Sequence, residues 1–180
     1  MSSAWNSGTV QETEAILSLG SNLGDRLANL LAAHEALAGL PRTRITARAP
    51  IYETEPVDVP EVHRHQSYLN TIIIVATGLG PGEFSDAMHA IEARLGRRRV
   101  NGHHAPRTID IDLIAFGDTT RQSADLRLPH PEAMRRRFVC QPLADVRPGL
   151  RLPGFALTVG EQLATLPPSP TVALAKEQWQ

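Results

Sequence analysis

The order of elements in this sequence predicts an α+β fold, a ferredoxin-like βαββαβ core in which helices pack on an antiparallel sheet. Three observations carry the prediction. Runs rich in apolar and β-branched residues lie at Glu14 to Leu19, Arg44 to Thr54, Ser67 to Thr77 and Thr108 to Phe116, and each has the length of a strand. Stretches with apolar residues at helical spacing separate the first run from the second and the third from the fourth. The chain has 180 residues, 42% of them hydrophobic, which suits one compact domain with a substantial core.

The first run stops at Gly20-Ser21-Asn22-Leu23-Gly24-Asp25, where small and polar residues signal a tight turn. From there Leu27, Leu30, Leu31 and Leu37 recur at helical spacing, with Asp25 placed to cap the start and Gly39 and Pro41 to end the pattern. Ser67 to Thr77 contains Ile72-Ile73-Ile74-Val75, too continuous for a surface strand and suited to a central one beside Arg44 to Thr54. Glu55 to Gln66, with its prolines and histidines, reads as a long loop. Pro81 opens a second helix with Phe84, Ala87, Met88, Ile91 and Leu95 as its buried stripe, and Gly96 closes it. A polar loop from Arg97 to Ala105 leads into the last core strand, and a further helix is expected near Met134 to Ala144. Residues 1–13 are expected to be a flexible N-terminal tail and 14–165 a single domain. Residues 166–180, opening on Leu166-Pro167-Pro168, are expected to be an irregular C-terminal tail.

Composition narrows the function. The formal net charge is -1 and the pI about 6.7, so nothing global points to nucleic acid or an anionic membrane, and any anion site must be local. The single cysteine, Cys140, cannot form an internal disulfide and reads as a small core residue of a cytoplasmic protein. The apolar stretch around Ile72 to Ala76 is too short to span a bilayer. Lysine occurs once, at Lys176, which excludes a P-loop or Schiff-base chemistry in the body of the chain and leaves phosphate binding to arginine. The turn at Gly20 to Arg26 lacks the glycine spacing of a phosphate loop.

Residues 106–112 read Pro-Arg-Thr-Ile-Asp-Ile-Asp. Side chains alternate along a strand, so Asp110 and Asp112 share one face while Ile109, Ile111 and Leu113 point into a core on the other. Two carboxylates about 6–7 Å apart repel by roughly 2–3 kcal/mol at an effective dielectric near 20. A divalent cation would offset that cost; a solvated strand face fits the pair as well. Arg97, Arg98, Arg99 and Arg107 flank the acids and suit either phosphate oxygens or a solvated loop. Tyr68 and Asn70 share one strand face, where they could stack on and hydrogen-bond a flat heterocycle or belong to the core. Leu128-Pro129-His130-Pro131 is a rigid turn that presents His130 ahead of Arg135, Arg136, Arg137 and Phe138. His63, His65, His103 and His104 lack a zinc-ligand pattern.

Taken together, Leu19 to Arg26, Tyr52-Glu53-Thr54-Glu55-Pro56, Tyr68-Leu69-Asn70, Pro106 to Asp112, and Leu128 to Pro131 with Arg136 and Phe138 closely resemble the 6-hydroxymethyl-7,8-dihydropterin pyrophosphokinase family of folate biosynthesis (EC 2.7.6.3). The resemblance spans roughly Ile16 to Pro148. It implies an αβα sandwich, ATP as co-substrate, two Mg2+ ions, and transfer of an intact diphosphate to the pterin hydroxymethyl group with release of AMP. By position it implies Asp110 and Asp112 as metal ligands, and Arg97, Arg99 and Arg107 as phosphate-binding groups under a loop that closes from Arg97 to Ala105. Glu92, Arg107, Ile111, His130 and Arg136 match the nucleotide side. Tyr68 and Phe138 match the aromatics that hold the pterin. Asn70, Asp110 and the segment Thr54, Glu55 and Val57 match its hydrogen-bonding partners. The implied protein is a cytoplasmic monomer whose partners are ATP and the pterin, without nucleic acid or membrane.

Departures lie in the loop. His103-His104-Ala105 stands where well-known members carry a basic residue, a tryptophan and a glycine, and Val100 and Pro131 also differ. His104 is placed to stack on the pterin in the tryptophan's stead. An inactive homologue, or a nonenzymatic βαββαβ module of the kind that presents sheet aromatics to RNA, is the competing class. Few sheet aromatics and an acidic exposed strand argue against the RNA-binding module.

Overall fold

The computed structural model describes residues 11–56, 66–97, 107–177 and 179. In chain order the regular elements are β1 (Thr13–Ser21), α1 (Arg26–Ala38), β2 (Thr43–Arg48), β3 (Ile51–Thr54), β4 (Tyr68–Thr77), α2 (Pro81–Arg94), β5 (Asp110–Phe116), β6 (Arg121–Gln122), β7 (Arg127–Leu128), α3 (Arg137–Val146), α4 (Val159–Thr165) and β8 (Val172–Lys176). The main sheet runs β5-β1-β4-β3-β8, with β2 also on β4, and every pairing is antiparallel. If β2 and β3 are taken as one interrupted strand, this is the expected ferredoxin-like core.

Alternation divides the sheet into two apolar faces. Leu17, Leu19, Ile73, Val75, Ile111 and Leu113 point to one side and pack on Leu30 and Leu37 of α1 and on Phe84, Met88 and Ile91 of α2. Ile16, Ile72, Ile74 and Ile114 point to the other and meet Val139, Cys140 and Leu143 of α3 and Val159 of α4. Helices on both faces make the αβα sandwich. They also explain the unbroken apolar run of β4, since a strand covered twice has no solvent side. Each buried Leu or Ile contributes about 1.5–3 kcal/mol of transfer free energy, so β4 is the fixed centre from which the polar end of the sheet is hung. Cys140 is fully buried, and burial pushes its thiol up to about 11, as befits an inert core residue.

Local chemistry sets the element ends. Asp25 accepts the Ala28 N–H at 3.0 Å and caps α1. Gly24 (φ 68°) and Gly96 (φ 84°) take left-handed conformations before α1 and after α2, where any other residue would be strained.

Two expectations are corrected. Arg44 to Thr54 is not one strand: it breaks between β2 and β3 at Ala49-Pro50, because proline has no N–H for the ladder. The C-terminal tail is not irregular throughout. Beyond its prolines it forms β8, which pairs with β3 from Ile51↔Lys176 to Thr54↔Val172. A short apolar stretch that reads as a tail gains strand structure from the free edge of β3.

Candidate active site

Directly paired residues of antiparallel strands share a face, so the register places the site. Asp110 of β5 pairs with Gly20 of β1, Gly20 with Asn70 of β4, and Asn70 with Tyr52 of β3. The neighbouring row is Asp112, Ser18 and Ile72. This is the face that α3 covers at its other end. Here the sheet is polar, and the floor between acids and amide is a glycine and a serine. The result is a cavity of about 520 Å³. Its floor is Ser18, Gly20, Asn70, Asp110 and Asp112, its far wall Thr54, Glu55 and Tyr68, and its rim Arg97, Arg107, His130, Arg136 and Phe138.

Gly20 is required by proximity rather than conformation. A methyl group there would stand 2.7 Å from Asn70 Oδ1. That amide cannot swing away freely, because its Nδ2 donates to Thr54 Oγ1 at 2.6 Å and both residues are buried.

The acids sit among cations. Arg97 and Arg107 both pair with Asp110, Arg97 at 2.6 Å from Oδ1. Yet Asp110 Oδ1 is buried and makes no hydrogen bond: Arg97 approaches it as a charge, outside hydrogen-bond alignment. Burial first, then the Asp110 carboxylate, push Asp112 up to about 7. An electron-rich pair so arranged invites a hard cation. Among the described residues no group of three or more His, Cys, Asp or Glu side chains gathers around a metal position, so such an ion would complete its shell with water and substrate oxygens, as Mg2+ does beside phosphates.

Glu92 and Ile111 lie behind the cavity wall rather than on it. Glu92 is 2% exposed, accepts the Ile111 N–H at 2.7 Å and pairs with Arg97. Burial raises its pKa against the opposing pull of that N–H and of Arg97. It fastens the end of α2 to the strand carrying the acids and holds Arg97 at the rim. His130 donates its backbone N–H to Ile114 O at 2.8 Å, which ties the turn to the edge of β5. Its Nδ1 accepts the Glu132 N–H at 3.2 Å, so the neutral ring carries its proton on Nε2. Burial, then Arg136, lower its pKa and keep it neutral. Arg136 lies 5.8 Å from the centre of the Phe138 ring, a cation–π contact that joins the basic and aromatic parts of the rim.

Other residues become visible only in the fold. Asn22, in the turn dismissed as a phosphate loop, accepts the Arg107 N–H at 2.8 Å and donates its own N–H to Arg107 O at 3.3 Å. It therefore sets where that guanidinium starts. Arg26 donates to Glu53 Oε1 at 2.8 Å and to Ser67 O and Oγ at 2.9 and 2.8 Å, which clamps both ends of the β3–β4 connection. Motif and spacing alone assign these residues no part in the site. Val57, Arg98, Arg99, His103 and His104 lie outside the described residues.

Carboxylates between guanidinium groups, facing an aromatic and amide wall, define a site of the phosphotransferase class, suited to a polyphosphate set against a flat heterocycle. The chain belongs to the 7,8-dihydro-6-hydroxymethylpterin-pyrophosphokinase family, whose pattern it matches over residues 16–148. It is 40% identical over 157 residues to the 2-amino-4-hydroxy-6-hydroxymethyldihydropteridine pyrophosphokinase of Methylorubrum extorquens, covering 87% of this chain and 96% of that one. The Pseudomonas aeruginosa protein of the same name is 37% identical over 137 residues, covering 76% and 82%. Among solved structures, a Plasmodium falciparum HPPK-DHPS superposes with a TM-score of 0.69 over 88% of this chain at 15% identity. That likeness speaks for the fold alone, and this chain covers 46% of that longer protein.

Proposed function

We propose that this chain transfers an intact diphosphate from ATP to the hydroxymethyl group of 6-hydroxymethyl-7,8-dihydropterin and releases AMP, a step of folate biosynthesis. The observation that carries the reading is the composition of one cavity, which brings together Asp110 and Asp112, the guanidinium groups of Arg97, Arg107 and Arg136, and Tyr68, Asn70 and Phe138. Family membership at 37% and 40% identity supports it.

In this reading Asp110 and Asp112 hold magnesium, two ions by family precedent. The unsatisfied Asp110 Oδ1 and the raised Asp112 fit a cation there. When bound, magnesium neutralises the triphosphate and polarises its phosphoryl oxygens. Arg97 and Arg107, which neutralise Asp110 in the absence of a cation, then turn to phosphate oxygens, where a planar guanidinium is well matched. Tyr68 and Phe138 stack the pterin, and the Asn70 amide, held by Thr54, reads its edge. His130, neutral and protonated on Nε2, donates on the nucleotide side with Arg136. Catalysis is then orientation and charge stabilisation.

Incubating the purified protein with ATP, Mg2+ and the pterin is expected to yield AMP and pterin diphosphate in equal amounts. ADP in place of AMP, or no product at saturation, overturns the reading. Gly20→Ala should raise KM for the pterin about tenfold or more, because the methyl displaces Asn70 from Thr54 and removes the equivalent of one good hydrogen bond; unchanged pterin KM in steady-state kinetics would show the amide is not a reader.

The catalytic unit of this proposal runs past residue 165, since β8 belongs to the sheet. No helix among the described residues is long and apolar enough to cross a membrane. The reading adds a cytoplasmic monomer, which light scattering on the purified chain tests as to oligomeric state.

A further inference from the structure

Among the described residues the pterin-side wall of the cavity ends at Glu55, one residue past the last rung of the β3–β4 ladder at Thr54↔Tyr68. No core strand holds Glu55. Its backbone N–H donates to Thr171 O at 3.3 Å, and its carboxylate Oε2 accepts the Thr171 N–H at 3.2 Å. Its backbone N–H and one carboxylate oxygen are thus both engaged by the segment that leads into β8. β8 then runs beside β3 from Thr54 back to Ile51. At its far end Trp179 donates its indole N–H to Ala49 O at 2.9 Å and lies against the His34 ring, 5.3 Å between centroids. Ala49 marks the break between β2 and β3, and His34 lies on α1. The C-terminal segment is thus fastened at both ends, to the cavity wall by Thr171 and to the sheet's interruption by Trp179.

We infer that residues 171–177, together with Trp179, form a positioning strap which sets the pterin-side wall at Thr54 and Glu55, with Trp179 as its anchor and the Glu55–Thr171 pair as its working end. This rests on the proposed pterin site and deepens it. The chemistry explains why a strap is needed. β3 has four residues, Ile51–Thr54, and without β8 it would be a short edge strand with one row of N–H and C=O groups unpaired. Short edge strands fray at their ends, and here the end is a wall of the site. The acids stand on β5, with two strands, β1 and β4, between them and β3. Loosening the strap should therefore blur the pterin side and leave the ATP side intact.

Trp179→Ala, checked for native melting and circular dichroism, is expected to raise KM for 6-hydroxymethyl-7,8-dihydropterin by about fivefold to tenfold, the worth of one ordinary hydrogen bond. KM for ATP and kcat should stay within about twofold, as expected when only binding of one substrate is affected. Trp179→Phe keeps a ring against His34 but has no N–H for Ala49 O, so it should restore only part of the pterin affinity. Hydrogen exchange at the Thr171 amide should quicken in Trp179→Ala and slow partway again in Trp179→Phe. Unchanged pterin KM in the folded alanine variant, a parallel rise in ATP KM, or an unchanged Thr171 exchange rate overturns the strap. A wild-type chain that forms no AMP and binds no pterin overturns the reading beneath it instead.

Discussion

Asp112→Asn is expected to lower diphosphate transfer by two or more orders of magnitude, about the effect of losing one ligand to a catalytic cation, while making the metal-free chain more stable at neutral pH. The second effect follows from electrostatics. Burial and then Asp110 push the Asp112 carboxyl from 3.8 up to about 7. Over that range the native state keeps a proton that the unfolded chain has released, so stability falls as pH rises through it. Below the ordinary carboxylate range both states are protonated and the penalty vanishes; above about 7 it is fully present. Asparagine carries no charge to desolvate. Melting curves in EDTA should therefore coincide near pH 4 and separate towards pH 8, with the variant higher by roughly 2–4 °C for each kcal/mol of relieved penalty. Added Mg2+ should raise the melting temperature of the wild type and not that of Asp112→Asn. A variant that is less stable than wild type at pH 8 in EDTA would show that Asp112 is held by partners rather than strained by burial.

Arg97→Ala should damage both the fold and the chemistry. Its guanidinium is the cation beside Glu92, a carboxylate that is 2% exposed, and it also stands 2.6 Å from Asp110 Oδ1. Removing it leaves a buried acid with one hydrogen bond, from Ile111 N–H. Breaking a buried pair in this one-sided way costs about 3–5 kcal/mol; because Arg97 is partly exposed, the lower end applies, roughly 6–12 °C in melting temperature. Glu92 already has a raised pKa from burial, and losing Arg97 raises it further. Its ionisation opposes folding as pH climbs, so the deficit should shrink in acid and grow towards neutrality. Replacing both partners, as Glu92→Gln with Arg97→Met, should recover much of the stability because the Glu92 charge that Arg97→Ala leaves unpaired is then gone. Turnover should not recover, since a guanidinium aimed at phosphate is commonly worth about a hundredfold or more. Full stability of Arg97→Ala at pH 7 would mean that Glu92 is neutral there and that Arg97 has no structural part.

Much of the core was legible because it rests on local periodicity. The stripes of α1 and α2, the unbroken apolar run of β4 and the alternation Ile109, Ile111, Leu113 against Asp110 and Asp112 all reflect which face is dry. β8 was not legible. Its exposed residues, Leu174 among them at 50%, show no amphipathic pattern, and its reason for being a strand is the open edge of β3 far away in sequence. Glu92 and Ile111 were read by position as nucleotide contacts, yet they face each other behind the cavity wall, a relation that depends on how α2 packs on β5.

From the sequence alone came the element order, the two apolar faces, and the acids, arginines and aromatics that line the cavity, because side-chain period and residue type are local properties. Only the tertiary structure decided that Gly20 opens the floor between Asp110 and Asn70, that Asn22 and Glu92 hold Arg107 and Arg97, and that β8 and Trp179 pack along β3 beside the cavity wall. Those are distances between residues remote along the chain, set by strand register and helix packing, and no local pattern encodes them.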